Sequence, residues 1–424
     1  MLDIQFIRDH PDKVKKACAD KGVADNVDQL LALDSKRRHL IIKTQEIRQA
    51  RNQLMKGVYG KPSDEIINQG KDLKQQLADL EPELKKLEKD FKKLMLAIPN
   101  LPFDEVPVGH DESDNIQIAK WGEPTHFDFS PKDHIQLVKD LDLVDFDRGT
   151  KVAGFRGYFL KGDGALLHLA LMHYALKKLA EKGFTPFIPP IILKKRPFIN
   201  TAHFPWGQLD VYKTYDDEDE KSVRFLAGTA EVPLVSYHMD ETLREADLPL
   251  LYSGYSQCYR REIGSYGKDA QGMYRIHEFT KVEQIVICKN DWPESIAWHE
   301  KLRSYSEQML QELNLPYRVM LMCTGDMGEP QVKKYDIETW MPGRNAYGET
   351  MSDSIMGDFQ ARRANIRYQA KDGTIKYVHM LNNTAVASPR LLIALLENHQ
   401  QADGSVLIPE VLRPYLDKDR ITAK

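Results

Sequence analysis

The sequence predicts an α+β protein in two parts: a long antiparallel helical hairpin, then a body of β-hairpins flanked by helices. Three observations carry this. Apolar residues recur at heptad spacing between Leu30 and Ile98. A proline-rich break follows at Pro99, Pro102 and Pro107. Between Ser256 and Cys288, two β-branched and aromatic runs flank a glycine-rich polar stretch.

At 424 residues, with 42% hydrophobic and 29% charged residues, the chain exceeds one ordinary domain and has a globular composition. The opening MLDIQFIRDH carries acids and no apolar run, unlike a signal peptide. No stretch approaches the roughly 18 apolar residues that a membrane span needs. Cys18, Cys258, Cys288 and Cys323 are scattered without zinc-ligand spacing and read as reduced thiols of a cytoplasmic protein.

Leu33, Leu40, Ile47 and Leu54 repeat every seven residues, with Leu30 and Thr44 between. After GVYGKPSD, a second run places Leu73, Leu77, Leu80, Leu84, Leu87, Phe91, Leu94 and Ile98 at alternating spacings of four and three. Ser63 is the expected N-cap of this second helix, which spans about 50 Å at 1.5 Å per residue. The turn between Gly57 and Ser63 is short, so the two helices fold back on each other. Arg37 and Arg51 interrupt the first seam, and Pro82 should kink the second helix. A spacer or dimerising coiled coil would show the same repeat. Charge points elsewhere: Leu30 to Asn100 holds fifteen Lys/Arg against ten Asp/Glu, a net +5, in a chain of net −4. A basic rod on an acidic remainder suggests contact with a phosphate backbone.

Residues 1–100 are therefore expected as an N-terminal domain, 101–118 as a linker and 119–424 as the body. A helix from about Ala165 to Glu181 gathers Leu167, Leu171, Tyr174 and Leu179 on one side and leaves further apolar residues around it. Core burial and a two-fold interface both fit. A helix from near Pro293 to Glu312 follows, then hairpin strands around Asp372-Gly373. Ser388 and Pro389 are expected as N-cap and first residue of the last long helix.

The hairpin from Ser256 holds the chemistry. Strand alternation puts Arg260 and Glu262 on one face, and Arg275, Phe279 and Glu283 on one face of the return strand. If the two coincide, guanidiniums, a ring and carboxylates share a surface that no apolar core would choose. An ion-pair ladder on a wet sheet is the plain alternative. YRREIG, a glycine-rich loop and RIHEFTKVEQ together resemble motif 2 of class II aminoacyl-tRNA synthetases, and within that class the seryl-tRNA synthetases. The Ala165 helix resembles motif 1, FLAGTAEVPLV the serine-binding loop, and LNNTAVASPRLLIALLENHQ motif 3.

That resemblance implies a class II antiparallel sheet, an N-terminal coiled-coil hairpin gripping tRNA(Ser), a homodimer, and formation of seryl-adenylate from serine and ATP. It leaves tRNA(Sec) open as a second acceptor. By the same match, Arg260, Glu262, Arg275 and Arg390 are catalytic. ATP would lie against Arg260, Arg261, Glu262, Arg275, Phe279, Glu349, Thr350, Met351, Ser352 and Arg390, with adenine between Phe279 and Arg390. Glu349 and Ser352 would hold Mg²⁺. Thr229, Ala230, Glu231, Arg260, Glu283, Asn382 and Thr384 would hold serine. The chain departs from the family's usual residues at Thr350-Met351 (Ile-Ser), Asn383-Thr384 (Gly-Ser), Pro389 (Gly) and Gln271 (Arg). A paralogue that activates an amino acid without charging tRNA would tend to lack the arm, and a scaffold that had lost catalysis would erode Arg260, Glu283 or Arg390.

Overall fold

In a computed structural model, the chain is described over residues 1–56, 59–60, 62–216, 219–263 and 271–423. It divides into two compact units, Met1–Pro99 and Asn100–Lys424.

The first unit contains α1 (Ile4–Asp9), α2 (Pro11–Asp20), α3 (Val27–Leu54) and α4 (Asp64–Leu96). Ser63 caps α4 as expected, its hydroxyl accepting from the Ile66 N–H at 3.3 Å. Helix α4 runs through Pro82 without interruption. The turn expected at Gly57–Ser63 lies partly outside the described residues. Arg48 meets Glu81 at 2.9 Å and Arg37 lies 4.3 Å over the Phe91 ring, which fixes the antiparallel pairing of α3 with α4. Arg37 thus sits at the seam by lending its flat cation to a ring. Two helices alone cannot enclose a seam, so most of its leucines stay half-buried. The enclosed core is at the base, where Ile7, Val14 and Cys18 close on Val27, Leu30, Met95 and Ile98. Buried Asp34 is neutralised there by Arg8 at 2.7 Å, with Arg37 and Arg38 at 3.4 and 3.2 Å.

The second unit is built on an eight-stranded sheet: β1 (Ile116–Trp121), β2 (Thr185–Phe187), β3 (Leu250–Tyr259), β4 (Glu278–Cys288), β5 (Tyr317–Leu321), β6 (Lys333–Met341), β7 (Ala346–Gly357) and β8 (His379–Ser388). The order is β1-β5-β6-β7-β8-β4-β3-β2, antiparallel throughout except β2 with β3. Residues 101–118, read from sequence as linker, belong to this unit: Phe103 N–H reaches the Val332 carbonyl at 2.9 Å, just after Asn100 N–H bonds that of Glu329 at 2.8 Å, and β1 begins at Ile116.

Strand β4 is buried on both faces from Thr280 onward; its second half, Ile285–Cys288, is apolar, and its first half buries the polar Thr280, Lys281, Glu283 and Gln284. On one face Val282 and Val286 join the main core and Gln284 donates to Ser306 at 3.0 Å, under α6 (Asp163–Glu181) and α9 (Trp292–Glu312). On the other, Ile285 and Ile287 pack with Ala230 and Leu234 around α8 (Glu231–Val235), and Phe279, Lys281 and Glu283 line a cleft. Gly254 lies opposite Glu283 in β3. A Cβ there would come within 2.6 Å of the Ala230 Cβ and 2.7 Å of a Leu234 methyl. The missing side chain is what lets α8, and Glu231 with it, settle onto the sheet.

The substitution Gly254→Ala is accordingly expected to cost roughly 1–3 kcal/mol in urea unfolding. Because the clash pushes on α8, it should also displace Glu231 from the cleft that Glu283 lines.

Candidate functional site

The ladder between β3 and β4 ends earlier than strand alternation suggested. Arg260 N–H still bonds the His277 carbonyl at 3.0 Å, but the next backbone groups turn to another loop. Arg261 N–H bonds the Asp210 carbonyl at 2.9 Å and Ile263 N–H the Asp210 carboxylate at 3.3 Å. Glu262 adopts a left-handed φ of 52°. Arg260, Glu262 and Arg275 are therefore loop residues, not strand residues, because Asp210 draws the chain off the ladder. The tip of that loop, with GSYGKDA, lies outside the described residues.

Arg260, Glu262, Arg275, Phe279 and Glu283 nevertheless line one cavity of about 270 Å³, together with Thr229, Glu231, Glu349, Thr350, Met351, Ser352, Asn382, Thr384 and Arg390. Arg261 turns away, donating to the Leu209 carbonyl at 3.1 Å, and Ala230 is packed beneath Gly254. Two β-bulges make the convergence possible. In the pairing of β6 with β7, Thr350 is the extra residue between Glu349 and Met351. It switches the alternation, so Glu349 and Ser352, an odd number of residues apart, face the same side. In the pairing of β4 with β8, Ala385 is the extra residue, and Thr384 comes opposite Glu283.

One end of the cavity is acidic and closed. Thr229 Oγ1 donates to Glu283 at 3.2 Å and accepts from the Glu231 N–H at 3.2 Å. Glu231 accepts from Gln360 at 2.7 Å. Lys281 forms an ion pair with Glu283 and reaches Thr384 Oγ1 at 3.4 Å. Burial raises the pKa of both glutamates above the ordinary carboxylate value; Lys281 opposes this, and at Glu283 the neighbouring Glu231 adds to the rise. Two acids share one lysine, and the Asn382 amide nitrogen beside them is enclosed without a partner.

The other end is richer in cations. Arg390 donates to the Glu349 carboxylate and carbonyl, both at 3.0 Å, and to the Tyr274 carbonyl at 3.2 Å. Its guanidinium lies 4.5 Å over the Tyr274 ring, with that of Arg344 at 4.1 Å from the same ring. Phe279 carries Arg260 at 5.4 Å. Burial would raise the Glu349 pKa, but Arg390 and Lys334 outweigh it and hold it down at about 2. Lys334 also pairs with Asp336 at 2.9 Å, whose pKa burial, with Glu349 nearby, lifts to about 7. Asp336 faces Ser352 across the ladder and has one enclosed oxygen without a partner. This surplus of carboxylate oxygen beside a hydroxyl fits a hard divalent cation. Among the described residues no three His, Cys, Asp or Glu converge as metal ligands, so phosphate and water oxygens would have to complete such a shell.

A second buried pair fixes the segment after the loop. Glu397, on α11 (Arg390–Asn398), accepts from the His134 ring Nδ1 at 3.1 Å and from the Gly343 N–H at 2.8 Å. His134 Nε2 in turn accepts from the Met273 N–H at 3.3 Å. The residues on either side, Gly272 and Tyr274, are thereby tied to the helix that carries Arg390. Ser388 does not cap α11: it ends β8 and bonds His168 at 2.8 Å, and Pro389 occupies the cap.

Sequence reasoning missed Lys281, Lys334, Tyr274, Arg344, His203 and the His134–Glu397 pair. Lys281 shares the odd-numbered face of β4 with Phe279 and Glu283, so alternation alone could have found it. Nothing local marks the others.

An antiparallel sheet bearing a motif 2 loop, a motif 3 arginine and a nucleotide-sized cleft defines the class II aminoacyl-tRNA synthetases. The family description "tRNA synthetase class II core domain (G, H, P, S and T)" matches residues 212–399, and "Seryl-tRNA synthetase N-terminal domain" matches residues 1–102. The chain is 46% identical to the serine–tRNA ligase of Deinococcus radiodurans over 98% of its length and 97% of the relative's. It is 43% identical to that of Treponema denticola, covering 99% and 100%. Its fold superposes on the seryl-tRNA synthetase of Pyrococcus horikoshii complexed with ATP, with TM-score 0.91, 38% identity and full coverage of both chains. The cytoplasmic serine–tRNA ligase of Naegleria fowleri in complex with AMP gives 0.88 at 30% identity, covering 100% and 99%. The chain belongs to the seryl-tRNA synthetase family.

Glu349 offers a check on the electrostatics. Its folded pKa lies below the unfolded value of 4.5, so its stabilising contribution is complete above pH 4.5 and drains away as the pH falls toward 2. Between pH 4.5 and 3, the wild-type melting temperature should fall further than that of Glu349→Gln. Equal falls would mean that Arg390 and Lys334 do not hold the carboxylate.

Proposed function

We propose that this cleft joins serine to ATP as seryl-adenylate, and that the chain then passes the seryl group to tRNA(Ser). One observation carries the reading: a closed pocket with one carboxylate in excess of its lysine opens, past Arg260, onto a cation-lined groove. A serine ammonium supplies the positive charge that Glu231 and Glu283 lack. Rejection of alanine and glycine follows if the pocket's polar groups also bond the hydroxyl, since they are stranded without it.

The serine carboxylate is already a nucleophile, so the protein's part is placement and charge neutralisation. A carboxylate oxygen attacks the α-phosphorus in line, the bond to the β-phosphate oxygen breaks, and pyrophosphate leaves. Arg260, between the two ends, faces the α-phosphate, where charge grows. Glu262 orients Arg275, which donates to it at 3.3 Å. Phe279 and Arg390 take the two faces of adenine. Glu349 and Ser352 would hold Mg²⁺, which would supply neutralisation of phosphate charge. In the second step a hydroxyl of the terminal adenosine of tRNA attacks the seryl carbonyl carbon and AMP leaves.

The N-terminal hairpin holds tRNA through its basic helices, and tRNA(Sec) stays open as a second acceptor. Two copies pair through the motif 1 face, where Val152, Phe155, Phe159, Leu166 and Leu169 are exposed, Leu169 at 55%. No helix among the described residues is long and apolar enough to cross a membrane, and the reading places the protein in the cytoplasm with the translation machinery.

Exchange of pyrophosphate into ATP, measured with each of the twenty amino acids, tests the proposal. Serine should be the preferred substrate, and Arg260→Ala should lower its exchange by at least a hundredfold. Preference for another amino acid would overturn it. A second test shortens the arm by replacing residues 41–87 with a tight turn, which keeps Leu30, Met95 and the base core. Exchange should persist while tRNA charging collapses, more severely at higher salt. Undiminished charging would take tRNA from the hairpin's duties.

A further inference from the structure

His203 belongs to none of the motifs, yet it lines the acidic end of the cavity. It follows α7 (Lys195–Asn200), and Thr201 is the C-cap of that helix. The next residue, Ala202, is 3% exposed with φ of +67°, a left-handed position where helices usually place Gly or Asn. The strained turn delivers the imidazole to the cleft.

Hydrogen bonding then sets its tautomer. Thr201 Oγ1 lies 2.8 Å from His203 Nδ1 and 3.1 Å from the Pro197 carbonyl. The hydroxyl has one hydrogen; directed to the Pro197 carbonyl along the 3.1 Å contact, it leaves the ring to donate from Nδ1, the tautomer on which the proposal rests. Nε2 is left as a lone-pair acceptor, with no bonded partner among the described residues. Burial and the nearby Arg260 and Lys281 lower the ring's pKa to about 4, against the opposing pull of Glu283, so it stays neutral at physiological pH. Thr201 is held in turn: its carbonyl accepts from Gln360 at 3.1 Å, and the same amide bonds Glu231 at 2.7 Å. The imidazole is thus fixed in the frame that fixes the pocket's acids.

We propose that His203 is a specificity-determining residue whose neutral Nε2 accepts a hydrogen bond from the substrate's side-chain hydroxyl. The assignment rests on the serine reading above. Glu231 and Glu283, which share Lys281, suit the ammonium, whereas the uncharged ring acceptor suits an uncharged donor. Alanine and glycine have no hydrogen to offer there and leave Nε2 unpaired.

The test compares the inhibition of serine-dependent exchange by L-serinamide and L-alaninamide, which differ only in the hydroxyl, in wild type, His203→Ala and His203→Gln. In His203→Ala, the serine KM and the inhibition constant of serinamide should each rise roughly tenfold. The alaninamide constant and the ATP KM should change by less than twofold. His203→Gln, which presents an amide oxygen, should recover part of the loss and controls for folding. Equal weakening of both amides would place the contact on the shared ammonium and overturn the proposal, as would an unchanged serinamide constant in His203→Ala. Wild-type protein without serine-dependent exchange would instead defeat the parent reading.

Discussion

Charge that the protein leaves incompletely neutralised organises the second unit. At one end of the cleft Glu231 and Glu283 share Lys281; at the other Glu349 and Asp336 share Lys334. Burying such groups is costly, and a core built for stability alone would replace them with apolar side chains. The raised pKa values of Glu231, Glu283 and Asp336 record that cost, whereas at Glu349 the neighbouring cations outweigh it. The deficit is of opposite use at the two ends. The closed pocket wants an ammonium, and the open groove offers guanidiniums to phosphates while keeping carboxylate oxygens for a cation. A substrate pair of opposite charge distribution completes both.

Placing these groups demands departures from regular structure. A regular strand would separate Glu349 from Ser352 by the thickness of the sheet, and Thr384 could not come opposite Glu283 without the extra residue at Ala385. The two bulges cost ladder bonds and gain a common face. Arg260 is placed differently again. It leaves the ladder after one last backbone bond, and Asp210 holds the next residues away from the sheet. Its guanidinium is therefore aimed by a loop anchored at both sides, which lets it lie over Phe279 while donating toward the Gly228 carbonyl at 3.4 Å. Gly254 contributes by absence, since only a bare backbone opposite Glu283 admits α8.

Much of this was legible in the chain. The heptads gave the arm with its Ser63 cap, and the apolar side of the Ala165 helix, for which burial and an interface both fitted, holds Leu167, Leu171, Tyr174 and Leu179 buried. Alternation along β4 correctly paired Phe279 with Glu283 because that segment is a regular strand. The same rule failed for Arg260 and Glu262, where the period of two no longer applied; Glu262 in a left-handed conformation leaves no trace in side-chain chemistry. Lys281 went unread because a lysine on a strand is ordinarily solvated, and only its neighbours make it a buried counter-ion. Tyr274, Arg344, His134 and Glu397 come from four segments distant in sequence. Their meeting is a property of the fold, and no local pattern encodes it.

That distributed set also explains how the two substrate regions act together. Glu397 holds His134 and the Gly343 turn; His134 holds Met273; the neighbouring Tyr274 gives its carbonyl to Arg390, on the helix where Glu397 itself sits. The hydrogen bonds form a closed circuit around the nucleotide end. At the serine end Gln360, Thr201 and His203 form a corresponding frame around Glu231. Arg260 belongs to neither circuit and lies between them. In-line attack requires an amino-acid carboxylate and an α-phosphorus to meet within about half an ångström of the reactive geometry. Two rigid frames with one loop-borne cation at their junction meet that demand. On the proposed reading, each substrate is located by its own frame, and the residue that responds as charge develops, Arg260, is the one least bound to either.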